Sequence, residues 1–179
     1  MPRIPYQPES LAEPADLVAA IRVRRGGRLL NLDRMLLHSP PLAAGWNSLL
    51  GALRNELELD PRLRELAMCA VATLNGAEYE FHHHAPEFLR AGGTQAQLQA
   101  LRDPPAAARR ADLFDATSLA ALRLTVEMTR NVAVDDATFG AVHAALGDRR
   151  TVELVGVIAG YNLVSRFLVA LGITPEDEG

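Results

Sequence analysis

Lysine is missing from this chain. All 18 of its basic residues are arginine, which excludes any mechanism built on a lysine Schiff base. Cysteine is almost missing: Cys69 stands alone. An internal disulfide and a cysteine-based zinc site are therefore both excluded, and a reducing cytoplasm is the expected location. The formal net charge of −4 gives no electrostatic footprint for nucleic acid. The opening Met1-Pro2-Arg3-Ile4-Pro5 has no apolar signal core. No apolar run reaches the length of a membrane span, so no membrane association is expected. Strand-like alternation is absent too, and the β-branched residues are dispersed, so the class is all-α. At 179 residues, with 49% hydrophobic and 22% charged residues, the chain has the balance of one soluble globular domain with a real core.

The helices can be placed from their punctuation. Residues 1–9 hold Pro2, Pro5 and Pro8 and read as an extended arm whose Ile4 and Tyr6 would anchor it on a neighbouring subunit. Ser10 is a candidate cap for a helix running toward Arg25, ended by Gly26-Gly27. A short helix over Leu29–Leu37 is stopped by Ser39-Pro40-Pro41, and Leu42–Leu57 follows with Trp46, Leu49, Leu50 and Leu53 at helical spacing. Asp60-Pro61 reads as an N-cap with proline at the first helical position, opening a helix to Leu74 that ends at Asn75-Gly76. Further helices are predicted from Ala77 to Ala91, Gln95 to Leu101, Ser118 to Asn131, Asp135 to Leu146 and Thr151 to Leu171, with a loop over 103–111. The last helix is almost wholly apolar and reads as central. Three segments result: an arm and helical extension over 1–41, a core over 42–173 and an acidic, solvated tail over 174–179.

Acid–base groups are concentrated in one place. Glu78-Tyr79-Glu80-Phe81-His82-His83-His84 holds three of the five histidines beside two carboxylates and a phenol. Glu65 lies upstream in a run that otherwise reads as core. Such groups beside apolar surface acquire shifted pKa values suited to proton transfer. Glu65 lies about 13–14 Å up its helix from the Asn75-Gly76 turn, and His84 about 10 Å up the next. If the two helices pack antiparallel, Glu65, Glu80 and His84 stand at similar heights. Glu80 and His84, spaced i and i+4, share a face. Adjacent histidines point about 100° apart, so His82, His83 and His84 do not all enter one cleft.

The frame Arg64-Glu65-Leu66, Leu74-Asn75-Gly76-Ala77-Glu78-Tyr79-Glu80-Phe81 and His83-His84 resembles the carboxymuconolactone decarboxylase and alkylhydroperoxidase D-like family. Glu153-Leu154, Gly160-Tyr161-Asn162 and Arg166-Phe167 extend the resemblance over roughly residues 42–173. The peroxidase branch carries Glu-x11-Cys-x-x-Cys-x3-His; here the two cysteine positions are Ala77 and Glu80, as in the decarboxylase-like branch. The resemblance implies an alkylhydroperoxidase D-like helical bundle of bacterial type that assembles as a homo-oligomer (dimer, trimer or hexamer). It also implies lyase chemistry without metal or organic cofactor, on a small carboxylated lactone or related metabolite. Catalysis would rest on Glu65, Glu80 and His84, with His84 the principal acid or base. Tyr161, Asn162, Arg166 and His83 would line the substrate site.

Rival readings stand beside this one. Glu65 could cap a buried arginine such as Arg166. Tyr161, Asn162 and Arg166 could serve an interface. Cys69, one turn from Glu65, could be a lone peroxidatic thiol of a peroxiredoxin-type protein, or a small core residue. The fold could persist as a non-catalytic binding protein. Glu80-x-x-His83 has the spacing of di-iron bundles, but neither His38 nor His143 has a glutamate three residues before it. A single zinc on Glu65, Glu80 and His84 is a minority reading, and no metal is expected.

Overall fold

The computed structural model describes residues 1–176. Among these there are nine helices and no strand: α1 (Ala15–Arg24), α2 (Asn31–Leu36), α3 (Pro40–Asn55), α4 (Pro61–Leu74), α5 (Glu78–Arg90), α6 (Gln95–Ala100), α7 (Pro104–Ala107), α8 (Ala116–Asn131) and α9 (Asp136–Leu171). The chain is all-α, as its lack of alternation implied.

The middle of the bundle is α4. The Asp60 side chain accepts the Leu63 N–H at 3.0 Å, and Pro61 fills the first helical position, where no N–H is needed. Ala67 to Val71 are fully buried beneath α5, α8 and α9. Large side chains buried to this degree each contribute about 1.5–3 kcal/mol. At the other end Gly76 takes φ 65°. The Ala77 N–H bonds to Ala72 O at 2.8 Å and the Gly76 N–H to Thr73 O at 3.2 Å. This paired closure needs a left-handed residue after the C-cap, and it folds α5 back along α4.

Several boundaries differ from the sequence reading. Ser10 does not cap α1, which starts after Pro14. Pro40 and Pro41 open α3 instead of stopping α2, because proline suits a first helical turn as well as a stop. Within the expected loop 103–111, Asp103 accepts the Ala106 N–H at 3.1 Å and starts the short α7. The two expected C-terminal helices follow each other within α9, and Gly147 (φ 71°, ψ 177°) breaks it between them, as the sequence reading has it. By length and composition α9 could span a membrane, contrary to the sequence reading, but half of its most apolar stretch is buried inside the protein. Its C-terminal half shares the centre with α4.

The arm packs on its own chain. Arg3 N–H donates to Leu171 O at 2.9 Å. Arg34 donates to Gln7 O at 2.6 Å and lies 5.1 Å from the Tyr6 ring centroid. Tyr6 thus has partners within the chain, while Ile4 remains exposed. The tail reading is corrected, since Glu176 is half-buried and hydrogen-bonded; Asp177, Glu178 and Gly179 lie outside the described residues.

Close packing makes one substitution diagnostic. A Cβ on Gly93 would sit 2.3 Å from the Phe88 ring, and that ring is fully buried. Gly93→Ala is expected to cost about 1–3 kcal/mol, read as a lowered midpoint in urea denaturation. An unchanged midpoint would contradict the packing described here.

Candidate active site

Helices α4 and α5 pack against each other and bring Glu65 to His84. The His84 Nδ1 lies 2.7 Å from Glu65 Oε2, and Arg64 Nε donates to the other oxygen, Oε1, at 3.3 Å. Both glutamate oxygens are thus engaged. Glu65 accepts, so Nδ1 carries the proton and Nε2 keeps its lone pair. No hydrogen bond engages Nε2 among the described residues. The Tyr161 ring meets the imidazole edge-on at 4.9 Å and fixes its plane.

Glu80, one turn before His84, occupies a different environment. Its Oε2 accepts from the Ser165 hydroxyl on α9 at 2.6 Å. Its Oε1 is buried without a partner. Burial drives the Glu80 pKa well above the carboxylate range, and neither the Ser165 bond nor the Arg54 charge reverses this. For Glu65 burial also pushes upward, but its hydrogen-bonded pairing with His84 and the Arg64 guanidinium outweigh it and leave the pKa below its ordinary value. The two carboxyl groups are therefore driven apart, one toward the anion and one toward the neutral acid. Divided pairs of this kind separate the acid and base roles of an active site. For His84 burial outweighs Glu65, and its pKa falls below the ordinary histidine value.

These groups line a cavity of about 320 Å³ together with Arg25, Arg54 and Arg64. Arg54 on α3 donates from Nε to the Tyr161 hydroxyl at 2.7 Å. Tyr161, its own pKa raised to about 12 by burial despite Arg54, stays a neutral phenol. Three guanidinium groups in a small cavity suit an anionic ligand.

The structure therefore brings Glu65, Glu80, His84 and His83 to one cavity, with Tyr161 behind its wall. It does not bring Arg166 or Asn162 there. Arg166 donates to Asn162 O at 3.0 Å and Oδ1 at 2.8 Å on its own helix. Asn162 in turn donates to Thr129 at 3.0 Å and accepts from Asn75 at 3.0 Å. The i, i+4 spacing that marked Arg166 is satisfied within the helix. Arg54 takes its place as the cationic wall. Only its position on the helix face after Leu50 and Leu53 hinted at this, and Ser165 gave no signal at all. Cys69 is fully buried, and burial followed by the Glu65 charge raises its thiol pKa, so it is a core residue. Among the described residues no three His, Cys, Asp or Glu side chains group as metal ligands.

The Glu80 shift has a sign that can be checked. Its folded pKa is raised, so the folded protein keeps a proton that the unfolded chain releases above about pH 4.5. Stability is lost as pH rises from there toward the folded pKa. Glu80→Gln, a mimic of the neutral acid, is expected to raise the melting temperature at pH 7 and to leave it unchanged near pH 3.5. A lower melting temperature at pH 7 would mean that the Glu80 carboxylate is ionised and stabilising.

Residues 40–127 match the family model described as "Carboxymuconolactone decarboxylase family". No curated protein sequence matches the chain. Among solved structures, a peroxidase-related protein from Ralstonia eutropha JMP134, described as an alkylhydroperoxidase AhpD core, superposes with a TM-score of 0.82 at 20% identity, over 99% of this chain and 93% of that one. A peroxidase-related protein from Silicibacter sp. TM1040 gives 0.81 at 17% identity over the same shares. The debrominase Bmp8, as a variant in complex with 2,3,4-tribromopyrrole, gives 0.77 at 17% identity over 97% of this chain and 92% of that one. At such identities the likeness to these structures is one of fold. Residues 40–127 are thus similar to the carboxymuconolactone decarboxylase family, and the chain adopts the all-helical fold of alkylhydroperoxidase D-like proteins.

Proposed function

We propose that the protein is a cofactor-free acid–base enzyme acting on a small carboxylated lactone or related anionic metabolite. One observation carries the reading. Glu80, with a free buried oxygen and a pKa raised by burial, and His84, oriented by Glu65 with its pKa lowered by burial, face one cavity walled by arginines. In the proposed reaction Arg54 and Arg64 hold the anionic substrate. The bond to the departing carboxylate breaks, carbon dioxide leaves, and the electron pair moves onto the lactone carbonyl. Glu80 then gives its proton to the carbon and recovers one from water. His84 is the base in that recovery: it takes the proton from solvent at Nε2, Glu65 stabilises the transient imidazolium, and the proton passes to the Glu80 carboxylate, so that each turnover consumes one solvent proton. Of the two roles left open for His84, acid or base, the proposal takes the base and gives the acid role to Glu80. The burial and raised pKa of Cys69 disfavour a lone-thiol peroxidase.

The test is carbon dioxide release from a panel of carboxylated lactones, preselected by thermal shift, because binding raises the melting temperature. Glu80→Gln and His84→Gln are each expected to reduce turnover by about 100-fold or more, while Cys69→Ala retains it. Turnover of hydroperoxides with a dithiol, lost in Cys69→Ala, would reverse the assignment.

Assembly is part of the proposal. Leu42 and Leu49 on α3 and Leu163 and Val169 on α9 are almost half exposed and offer apolar side chains to a partner subunit. We expect a dimer, trimer or hexamer by light scattering at micromolar concentration. A mass of 19.4 kDa would refute it.

A further inference from the structure

Beside the cavity, three donors converge on one carboxylate. Glu176 Oε1 accepts from the Asn31 backbone N–H at 2.7 Å and from the Tyr79 hydroxyl at 3.0 Å. His83 Nε2 lies 3.1 Å from Oε2. Tyr79 and His83 also line the cavity that holds Glu65, Glu80 and His84. The cradle is therefore continuous with the candidate active site. Its tyrosine remains a donor, because burial, with Glu176 adding to it, raises the phenol's pKa. Burial raises Glu176 too, but the His83 bond and the Asn31 N–H outweigh it, and its pKa falls to about 2.

The carboxylate comes from an irregular strap, Ile173–Glu176, that follows Gly172. Two further attachments hold the strap. The Asn31 amide donates to Thr174 O at 3.1 Å and Pro175 O at 3.5 Å. The Thr174 N–H donates to the Tyr6 hydroxyl at 3.2 Å. Neither attachment needs the Glu176 side chain. The strap can therefore stay docked while the carboxylate leaves.

We propose that the His83–Tyr79–Asn31 cradle is a carboxylate subsite of the cavity and that Glu176 is its built-in, displaceable occupant. A ligand with two carboxylates would place one against the cavity arginines and the other here. A tethered carboxylate competes at a high effective concentration, so Glu176 weakens such ligands and acts as an autoinhibitory plug. The inference rests on the anionic-ligand reading of the cavity, but not on any catalytic step.

Succinate is the probe, titrated by calorimetry into the full chain. Glu176→Ala is expected to bind it about 10-fold more tightly than the unaltered protein. The His83→Gln/Glu176→Ala double variant should lose that gain. Glu176→Gln, which keeps the shape without the charge, should give an intermediate gain and serves if the alanine variant does not fold. Equal or weaker binding by the Glu176 variants, a gain that survives in the double variant, or no succinate binding by any of them would overturn the proposal. Because the readout is affinity, an inactive enzyme in the decarboxylation assay would not decide this result, and a failed titration would not decide that one.

Discussion

The 2.7 Å hydrogen bond between Glu65 and His84 is the contact on which the site depends. It joins the second turn of α4 to the second turn of α5, and it exists because the Asn75-Gly76 closure sends α5 back along α4. Its energetic meaning comes from the surroundings. Both partners are buried, so an unpaired charge on either would be costly. Glu65 therefore remains an anion by accepting from two donors, and His84 remains neutral because burial outweighs the single carboxylate beside it. The imidazole is left with a fixed tautomer and a free Nε2.

Glu80 shows what the same helix does without such pairing. One turn from His84, it has a serine on one oxygen and nothing on the other. Raising a carboxyl pKa in this way costs folding stability at neutral pH, and active sites commonly carry that cost. The functional asymmetry arises from which groups surround each carboxylate, since both side chains are glutamate.

The two ends of the described chain close the same side of the molecule. The arm reaches α9 and α2 through Arg3, Tyr6 and Gln7, while the strap reaches α2 and α5 through Asn31, Tyr79 and His83. Asn31 serves both, since its Oδ1 accepts from Arg34 at 3.1 Å while its amide holds the strap. The arm therefore contributes to the cavity's surroundings indirectly, by holding the strap that carries Glu176.

Local signals sufficed wherever a few neighbouring residues decide the outcome. Asp60-Pro61, Asn75-Gly76 and the i, i+4 spacing of Glu80 and His84 were legible because caps, left-handed turns and helix faces are properties of short segments. The missing strand alternation gave the all-α class, and the turn and the helical rise put Glu65 at the height of His84 once the two helices pack antiparallel. Partners far apart in the chain were not legible. Arg54 meets Tyr161, Ser165 meets Glu80 and Glu176 meets His83 across 107, 85 and 93 positions, and periodicity names a buried face without naming what it faces. Arg166 was misplaced for the same reason: its spacing from Asn162 was visible, but whether its guanidinium turned to the cavity or back onto its own helix was not. The direction of the His84 shift was equally hidden, because burial and the Glu65 charge oppose each other and only the packed structure sets how deeply the imidazole is buried.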